Sequence, residues 1–373
     1  MLLAHAPTTL LLALAGCHRA IEWRFGRRAS KCRSAFYAEV WRDAAAALGA
    51  KVTHLGDEIL EIRHGTSCTR VRENVTEIDD VMTALLANNK PVVHRLLAER
   101  GLRVPKYIVF SLESISKAVV FAEEFGGAWV VKPAANSSGG LGVTTGISRP
   151  SDIFWAAVRA GGYGLNILLE QQAEGDVYRL LYLDGVLLDA VLRKPAVVVG
   201  DGKSSIRKLL QREDEKRMIA GPKHSQAFLS VNMDMRRTLA HQGFSLSSVP
   251  KEGTQIALNK VVNANSSAEN APAGHLLCEA IIEDGATAAA AIGVRFAGID
   301  VVTRDPSVPL AQSGGVFLEV NTRPGFHHHY YRQGEPCRVA GHLLPYLLEE
   351  HRASRNLPLD SLGRAGPELI CNE

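Results

Sequence analysis

Apolar positions recur with helical spacing over residues 34–49, where Phe36, Val40, Ala44 and Leu48 fall on one face and Gly49 supplies a stop. Residues 51–63 then read as two short strands around the turn Gly56-Asp57, which together with the helix make a small α/β unit. A helix over 91–100, closed by Gly101, leads through Val104-Pro105 into a strand at 107–110. A helix at 114–125 and a strand at 128–132 follow, then a Gly-rich loop at 136–142 and a strand at 143–146. From residue 167 the pattern shifts to longer strands, at 167–170, 178–183, 186–193, 295–302 and 316–320, with helices at 204–217 and 276–292 among them. Beyond Arg352 the sequence is polar and contains proline, the pattern of a loosely docked tail. The predicted class is α/β, in its α+β form, with no internal repeat.

The 373 residues, 46% hydrophobic and 22% charged, suffice for two or three packed units and exclude the disordered and collagen-like classes. A net charge of +3, spread along the chain, leaves no basic footprint for a nucleic-acid partner. Cys17, Cys32, Cys68, Cys278, Cys337 and Cys371 lie far apart with no C-x-x-C pair, as expected of reduced thiols in the cytoplasm. Leu14-Ala15-Gly16-Cys17, at the end of the apolar run 10–15, resembles a lipoprotein cleavage box. No Lys or Arg precedes that run and Pro7 interrupts the stretch before it, so it reads as a buried strand or an overextended start. No other run is long enough to span a bilayer, and no membrane partner is expected.

Three segments carry candidate chemistry. Lys132 ends a strand that runs into Asn136-Ser137-Ser138-Gly139-Gly140-Leu141-Gly142, a loop whose backbone can approach an anion closely and cradle phosphates. It fits neither common nucleotide fingerprint, and the Walker-like ending Gly200-Asp201-Gly202-Lys203-Ser204 has Val197 where the first glycine belongs, so it reads as a strand-to-helix turn. Asp300 interrupts an apolar strand, while Glu319 and Asn321 alternate with Leu318 and Val320 and share one face of another strand, a hard-oxygen set suited to Mg²⁺. Between Leu168 and Arg179 an apolar strand meets a polar linker that offers a base its backbone and a ribose Glu174 or Asp176. His327-His328-His329 cannot all face one point on a regular element, so the run is assigned to a pocket mouth rather than to a metal.

In this order and separation the pieces resemble the ATP-grasp superfamily and, within it, the ATP-grasp portion of cyanophycin synthetase. The resemblance spans 88–348 and is most specific in WVVKP at 129–133, in Tyr178-Arg179-Leu180-Leu181 followed by 198–204, and in FLEVNTRPG at 317–325. It implies a pre-ATP-grasp domain at 1–88, a central or lid subdomain at 89–167, a C-terminal subdomain with the metal site at 168–352, and a tail at 353–373. Lys90 and Lys132 would bind the nucleotide phosphates under the loop of Asn136, Ser137, Ser138, Gly139, Gly140 and Gly142. Glu170, Gln171 and Ala173 would hold adenine, with Asp176 toward the ribose. Asp300, Glu319 and Asn321 would hold Mg²⁺ or Mn²⁺, and Arg179 would stabilise phosphate or acyl-phosphate. The implied activity joins a small-molecule carboxylate to an amine or amino acid, with ADP and phosphate released; a homodimer is the default expectation for a soluble enzyme.

Two departures narrow this expectation. Cyanophycin synthetase carries a Mur-ligase-like second domain absent from this sequence, so its polymer cycle is not expected. In Lys260-Val261-Val262-Asn263-Ala264-Asn265 valines stand where the family has an arginine pair, and Lys260, Arg236 or Arg237 is expected to substitute. Two other classes stay open: an ATP-grasp kinase or phosphotransferase without an amine acceptor, and a non-catalytic nucleotide-binding protein. Acceptor-dependent ADP release separates the first from a ligase. Retention of Lys132, Asp300, Glu319 and Asn321 weighs against the second.

Overall fold

The computed structural model describes residues 33–136, 140–219, 229, 231, 233–258, 267–331 and 334–355. In chain order its elements are α1 (33–47), β1 (Lys51–Gly56), β2 (Ile59–His64), β3 (Ser67–Arg72), α2 (Val81–Ala87), α3 (Lys90–Glu99), β4 (Tyr107–Phe110), α4 (Ile115–Phe125) and β5 (Trp129–Pro133). There follow β6 (Thr144–Ile147), α5 (Pro150–Gly161), β7 (Ile167–Gln171), β8 (Asp176–Leu183), β9 (Val186–Pro195), β10 (Val197–Val199), α6 (Ile206–Ile219), α7 (Met233–His241) and β11 (Gln255–Ala257). The last are β12 (Ser267–Pro272), α8 (Glu279–Ile292), β13 (Phe296–Thr303), α9 (Leu310–Ser313), β14 (Val316–Thr322), α10 (His327–Tyr330) and α11 (Val339–Arg355).

Every described strand pair is antiparallel, the α+β form the sequence predicts. Two sheets frame the molecule, one of four strands in the order β4-β7-β5-β6 and one of five in the order β12-β9-β8-β13-β14. In the first, period-2 alternation turns Trp129, Val131, Ile167 and Leu169 onto a core that also holds Ala118 of α4 and Ile153, Ala156 and Ala157 of α5. In the second, Tyr178, Leu180, Tyr182, Ile299 and Val301 share a core with Ile281, Ala288 and Ile292 of α8. Each sheet thus has one apolar face covered by helices; on the opposite faces stand Lys132 and Glu170 in the first sheet and Arg179 and Asp300 in the second, where Leu181 and Leu183 join a further apolar cluster. The boundary drawn at 167/168 runs through β7, whose partners β4 and β5 belong to the four-stranded sheet.

α3 forms where Asn89 caps its first turn, its Oδ1 accepting from the Val92 N–H, with Pro91 in the first turn. A third cluster joins α1 (Phe36, Tyr37, Trp41), β2 and β3 (Ile62, Val71), Phe326 and α11 (Leu343, Leu344, Leu347). β10, β11, α6 and α7 enclose a smaller core around Ile206, Leu210, Met235, Leu239 and Ile256. The 200–204 segment is the turn into α6 expected of it, with Asp201 Oδ1 accepting from the Lys203 and Ser204 N–H groups. Among the described residues no helix is long and apolar enough to cross a membrane, and no disulfide joins Cys68, Cys278 and Cys337.

Candidate active site

Because Trp129 and Val131 face the core beneath the four-stranded sheet, Lys132 faces the opposite way. Glu170 does the same on β7, one diagonal step away, since Lys132 pairs with Leu168 and Val130 with Glu170. The Lys132 ammonium lies 2.6 Å from Glu170 Oε1 and 4.0 Å from Glu319 Oε1 of the other sheet. The Lys132 and Glu170 side chains are only 5% and 4% exposed, whereas Glu319 is 33% exposed and stands at the opening. Lys90 joins them from the first turn of α3, its N–H donating to Ala134 O beyond the end of β5. Burial pulls the Lys90 ammonium below the ordinary lysine value despite Glu319 nearby. Burial opposes the Lys132 charge as well, but Glu170 and Glu319 outweigh it and hold that ammonium above its ordinary value. Desolvation by the surrounding protein would raise the Glu319 carboxyl, but Lys90 and Lys132 outweigh it and hold it below its ordinary value.

On the five-stranded sheet one row runs across three strands, since Arg179 of β8 lies opposite Asp300 of β13, which lies opposite Glu319 of β14. Arg179 grips Asp300 bidentately, Nε to Oδ1 at 2.5 Å and Nη2 to Oδ2 at 2.7 Å, in a buried pair. Arg193 of β9, equally buried, stands 3.9 Å from the same carboxylate, and burial pushes its guanidinium down to about 10. Asn321 Nδ2 donates to Gly298 O at 3.2 Å, which leaves its Oδ1 as the atom a cation would meet. Among the described residues no group of three His, Cys, Asp or Glu side chains could hold a metal ion. The donors fit Mg²⁺ in a specific way: Glu319 and Asn321 offer open oxygens, and Asp300 offers only the lone pairs its bond to Arg179 leaves. That suits a cation whose other ligands are water and phosphate.

Asn136 is exposed at φ 56°, and Gly142 at φ 73° packs so closely that a Cβ there would come within 2.8 Å of Tyr163 and 2.9 Å of Pro133. Gly140 lies between them, while Ser137, Ser138 and Gly139 lie outside the described residues. Gln171 ends β7, Ala173 follows in the 172–175 connection, and Asp176 starts β8, exposed. The Glu170 carboxylate itself is turned onto Lys132 rather than toward that connection. Lys260 and the valine pair lie outside the described residues. Arg237 is committed to Asp152 at the start of α5, at 3.1 Å, and Arg236 is exposed.

The three histidines are a correction. They occupy α10, a single helical turn, and are buried at 5%, 4% and 0% exposure instead of lining a mouth. Tyr37 meets His327 Nδ1 at 2.9 Å, Asn270 meets His328 Nδ1 at 3.4 Å, and Asp189 meets His329 Nδ1 at 2.8 Å. Burial, reinforced by Arg193 and Arg179, keeps His327 and His328 well below the ordinary histidine value, so both are neutral. Sequence reasoning missed His94, which sits one turn after Lys90 on the same face of α3; that i, i+4 spacing was the available signal.

No protein-family model matches the chain. Over 321 residues it is 28% identical to cyanophycin synthetase from Trichormus variabilis, an alignment covering 83% of this chain and 34% of that protein. Over 304 residues it is 27% identical to the glutathione biosynthesis bifunctional protein GshAB of Enterococcus faecalis, covering 79% of this chain and 40% of that one. The chain therefore spans well under half the length of the curated relatives it matches. Among solved structures, a bifunctional glutathione synthetase from Pasteurella multocida superposes with a TM-score of 0.54 at 23% identity, over 82% of this chain and 44% of that one. With two antiparallel sheets turning their charged faces toward a shared site, the chain has the ATP-grasp fold, and in sequence it resembles cyanophycin synthetase over 83% of its length.

Proposed function

We propose that this protein is an ATP-dependent ligase that forms an amide bond between a carboxylic acid and an amine or amino acid through an acyl-phosphate. The supporting observation is the position of Lys132, whose ammonium bridges Glu170 of one sheet and Glu319 of the other where Lys90 also converges. Two buried lysines beside a glycine loop meet the needs of nucleotide phosphates, and an open carboxylate and amide meet those of the accompanying cation. Mg²⁺ or Mn²⁺, held by Glu319 and Asn321 with Asp300 behind them, supplies charge neutralisation at the phosphates when bound. Lys90 and Lys132 orient the β- and γ-phosphates, and the loop around Gly140 and Gly142 covers them. Arg179, with Nε and Nη2 fixed on Asp300, keeps Nη1 for the developing charge as the acid's oxygen attacks the γ-phosphorus. The buried setting of Lys132, Glu170, Arg179 and Asp300 keeps water away from the inner part of the site, which lets the acyl-phosphate survive until the amine displaces phosphate.

The proposal extends to a cytoplasmic homodimer acting on small molecules. It divides the chain at 1–88, 89–167 with β7 added, the remainder to 352, and a tail. The test is ADP release from ATP and Mg²⁺ across a panel of carboxylates, each with and without a panel of amines, with hydroxylamine included to trap any acyl-phosphate as a hydroxamate. Release that requires both acid and amine is the expected result. Release with acid alone and no hydroxamate would assign a phosphotransferase, and silence with ATP still bound would assign a nucleotide-binding protein.

A further inference from the structure

His94 is fully buried on α3, and its one imidazole touches three elements of the site. Its Nε2 lies 3.2 Å from Leu318 O, the carbonyl immediately before Glu319 on β14. The same nitrogen lies 3.9 Å from Glu170 Oε2 on β7, the carboxylate whose other oxygen holds Lys132. The ring stands edge-on to Tyr107 of β4, centroids 5.0 Å apart, and the Tyr107 hydroxyl donates back to Pro91 O in the first turn of α3. A carbonyl can only accept, so the bond to Leu318 fixes the tautomer: Nε2 carries the proton. At 3.9 Å the approach to Glu170 is electrostatic, too long for a hydrogen bond, and Glu170 Oε2 has no hydrogen-bond partner among the described residues.

Lys90 and His94 are four residues apart and leave α3 on one face. The helix therefore presents a phosphate lysine and, one turn on, a side chain that ties β14 to the carboxylate behind the second phosphate lysine. We propose that His94 is a positioning residue for nucleotide binding: its Nε2–H pins β14 at Leu318 and faces Glu170, fixing the separation between the Lys90–Lys132 pair and Glu319. The inference rests on the nucleotide reading of the site given above. Losing the N–H should loosen the register between the two sheets' charges without emptying the core, because the apolar contacts of α3 run through Val93 and Leu97 instead.

The experiment is calorimetric titration of the purified chain with the non-hydrolysable analogue AMP-PNP and Mg²⁺, beside thermal unfolding of each variant. His94→Phe keeps the ring and removes the donor, and His94→Gln restores a donor at nearly the reach of Nε2. Val93→Ala opens a cavity on the same helix away from the site. The expected result is about a tenfold or greater loss of affinity in His94→Phe, recovery to within about threefold in His94→Gln, and unchanged affinity in Val93→Ala despite its lower Tm. Unchanged affinity in His94→Phe overturns the inference alone, as does a loss that His94→Gln fails to recover or that Val93→Ala reproduces in proportion to Tm. An unmodified chain that takes up no nucleotide removes the ligase reading and this inference with it.

Discussion

Replacing Lys132 by methionine keeps most of the side chain's length and removes its charge. Glu170, 4% exposed, then keeps His94 at 3.9 Å, whose neutral ring does not compensate a carboxylate, and the electrostatic pull of Lys90. Breaking one partner of a buried pair costs about 3–5 kcal/mol because the remaining charge stays desolvated. Glu170→Gln should cost less, since Glu319 remains 4.0 Å from the ammonium. Removing both charges together, in Lys132→Met with Glu170→Gln, should cost at least about 2 kcal/mol less than the sum of the single losses. Urea unfolding followed by tryptophan fluorescence, to which buried Trp129 of the same strand contributes, reads this directly. With a slope near 3 kcal/mol/M, a loss of about 3 kcal/mol moves the midpoint by about 1 M. Strictly additive single effects, or an unmoved midpoint in Lys132→Met, would refute the reasoning that these charges stabilise each other. In Lys132→Met and in the double mutant nucleotide turnover should be lost, because restored stability does not restore the phosphate contact.

Arg179→Lys keeps a cation but cannot make the two-pronged bond to Asp300, so kcat should fall by about a hundredfold or more, measured as ADP release once a substrate is in hand. Gly142→Ala places a Cβ against Tyr163 and Pro133 at positive φ and should cost about 1–3 kcal/mol, seen as a lower Tm together with weaker AMP-PNP binding. His327 and His328 are held neutral in the folded chain, so below pH 6.5 the unfolded chain binds more protons. Stability is therefore retained above that pH and lost as pH falls, by up to about 1.4 kcal/mol per pH unit for each histidine. Unfolding midpoints at pH 7.5 and 5.5 check the sign, and His328→Gln should flatten the slope. Glu319→Gln should raise the Mg²⁺ concentration needed for half-maximal nucleotide binding by about tenfold, and an unchanged Mg²⁺ titration would place the cation elsewhere.

Strands were the legible part of the fold, because alternation and apolar runs reflect burial that the sheet imposes locally. The 107–110 strand matches β4 residue for residue, and the 167–170 strand falls one residue short of β7. β12 (SAENAP) is polar and small, so its pattern resembles a loop, while α2 (VMTALLA), though capped by Asp80, is apolar nearly all round and has no fully buried residue, so its short run shows no helical face. α5 is different: Pro150 in its first turn and buried Ile153, Ala156, Ala157 and Ala160 form a signal that went unassigned. At the site, Lys132, Glu319, Asp300 and Asn321 announced themselves as polar residues in apolar strands. What Glu170, His94 and the histidine run touch depends on which strands and helices meet, and that information lies in packing between segments distant in the chain, 224 residues apart for His94 and Leu318 and 290 for His327 and Tyr37. The burial of His327 follows from α1, whose Tyr37 covers it.

α1 and α11, the first and last helices of the described chain, share one apolar cluster through Tyr37, Trp41, Leu343 and Leu347. Each of the two helices therefore serves as the lid of the other's apolar face, although they lie at opposite ends of the described chain. Loosening either one uncovers aromatic and leucine side chains together, so a local opening at one helix is also an opening at the other.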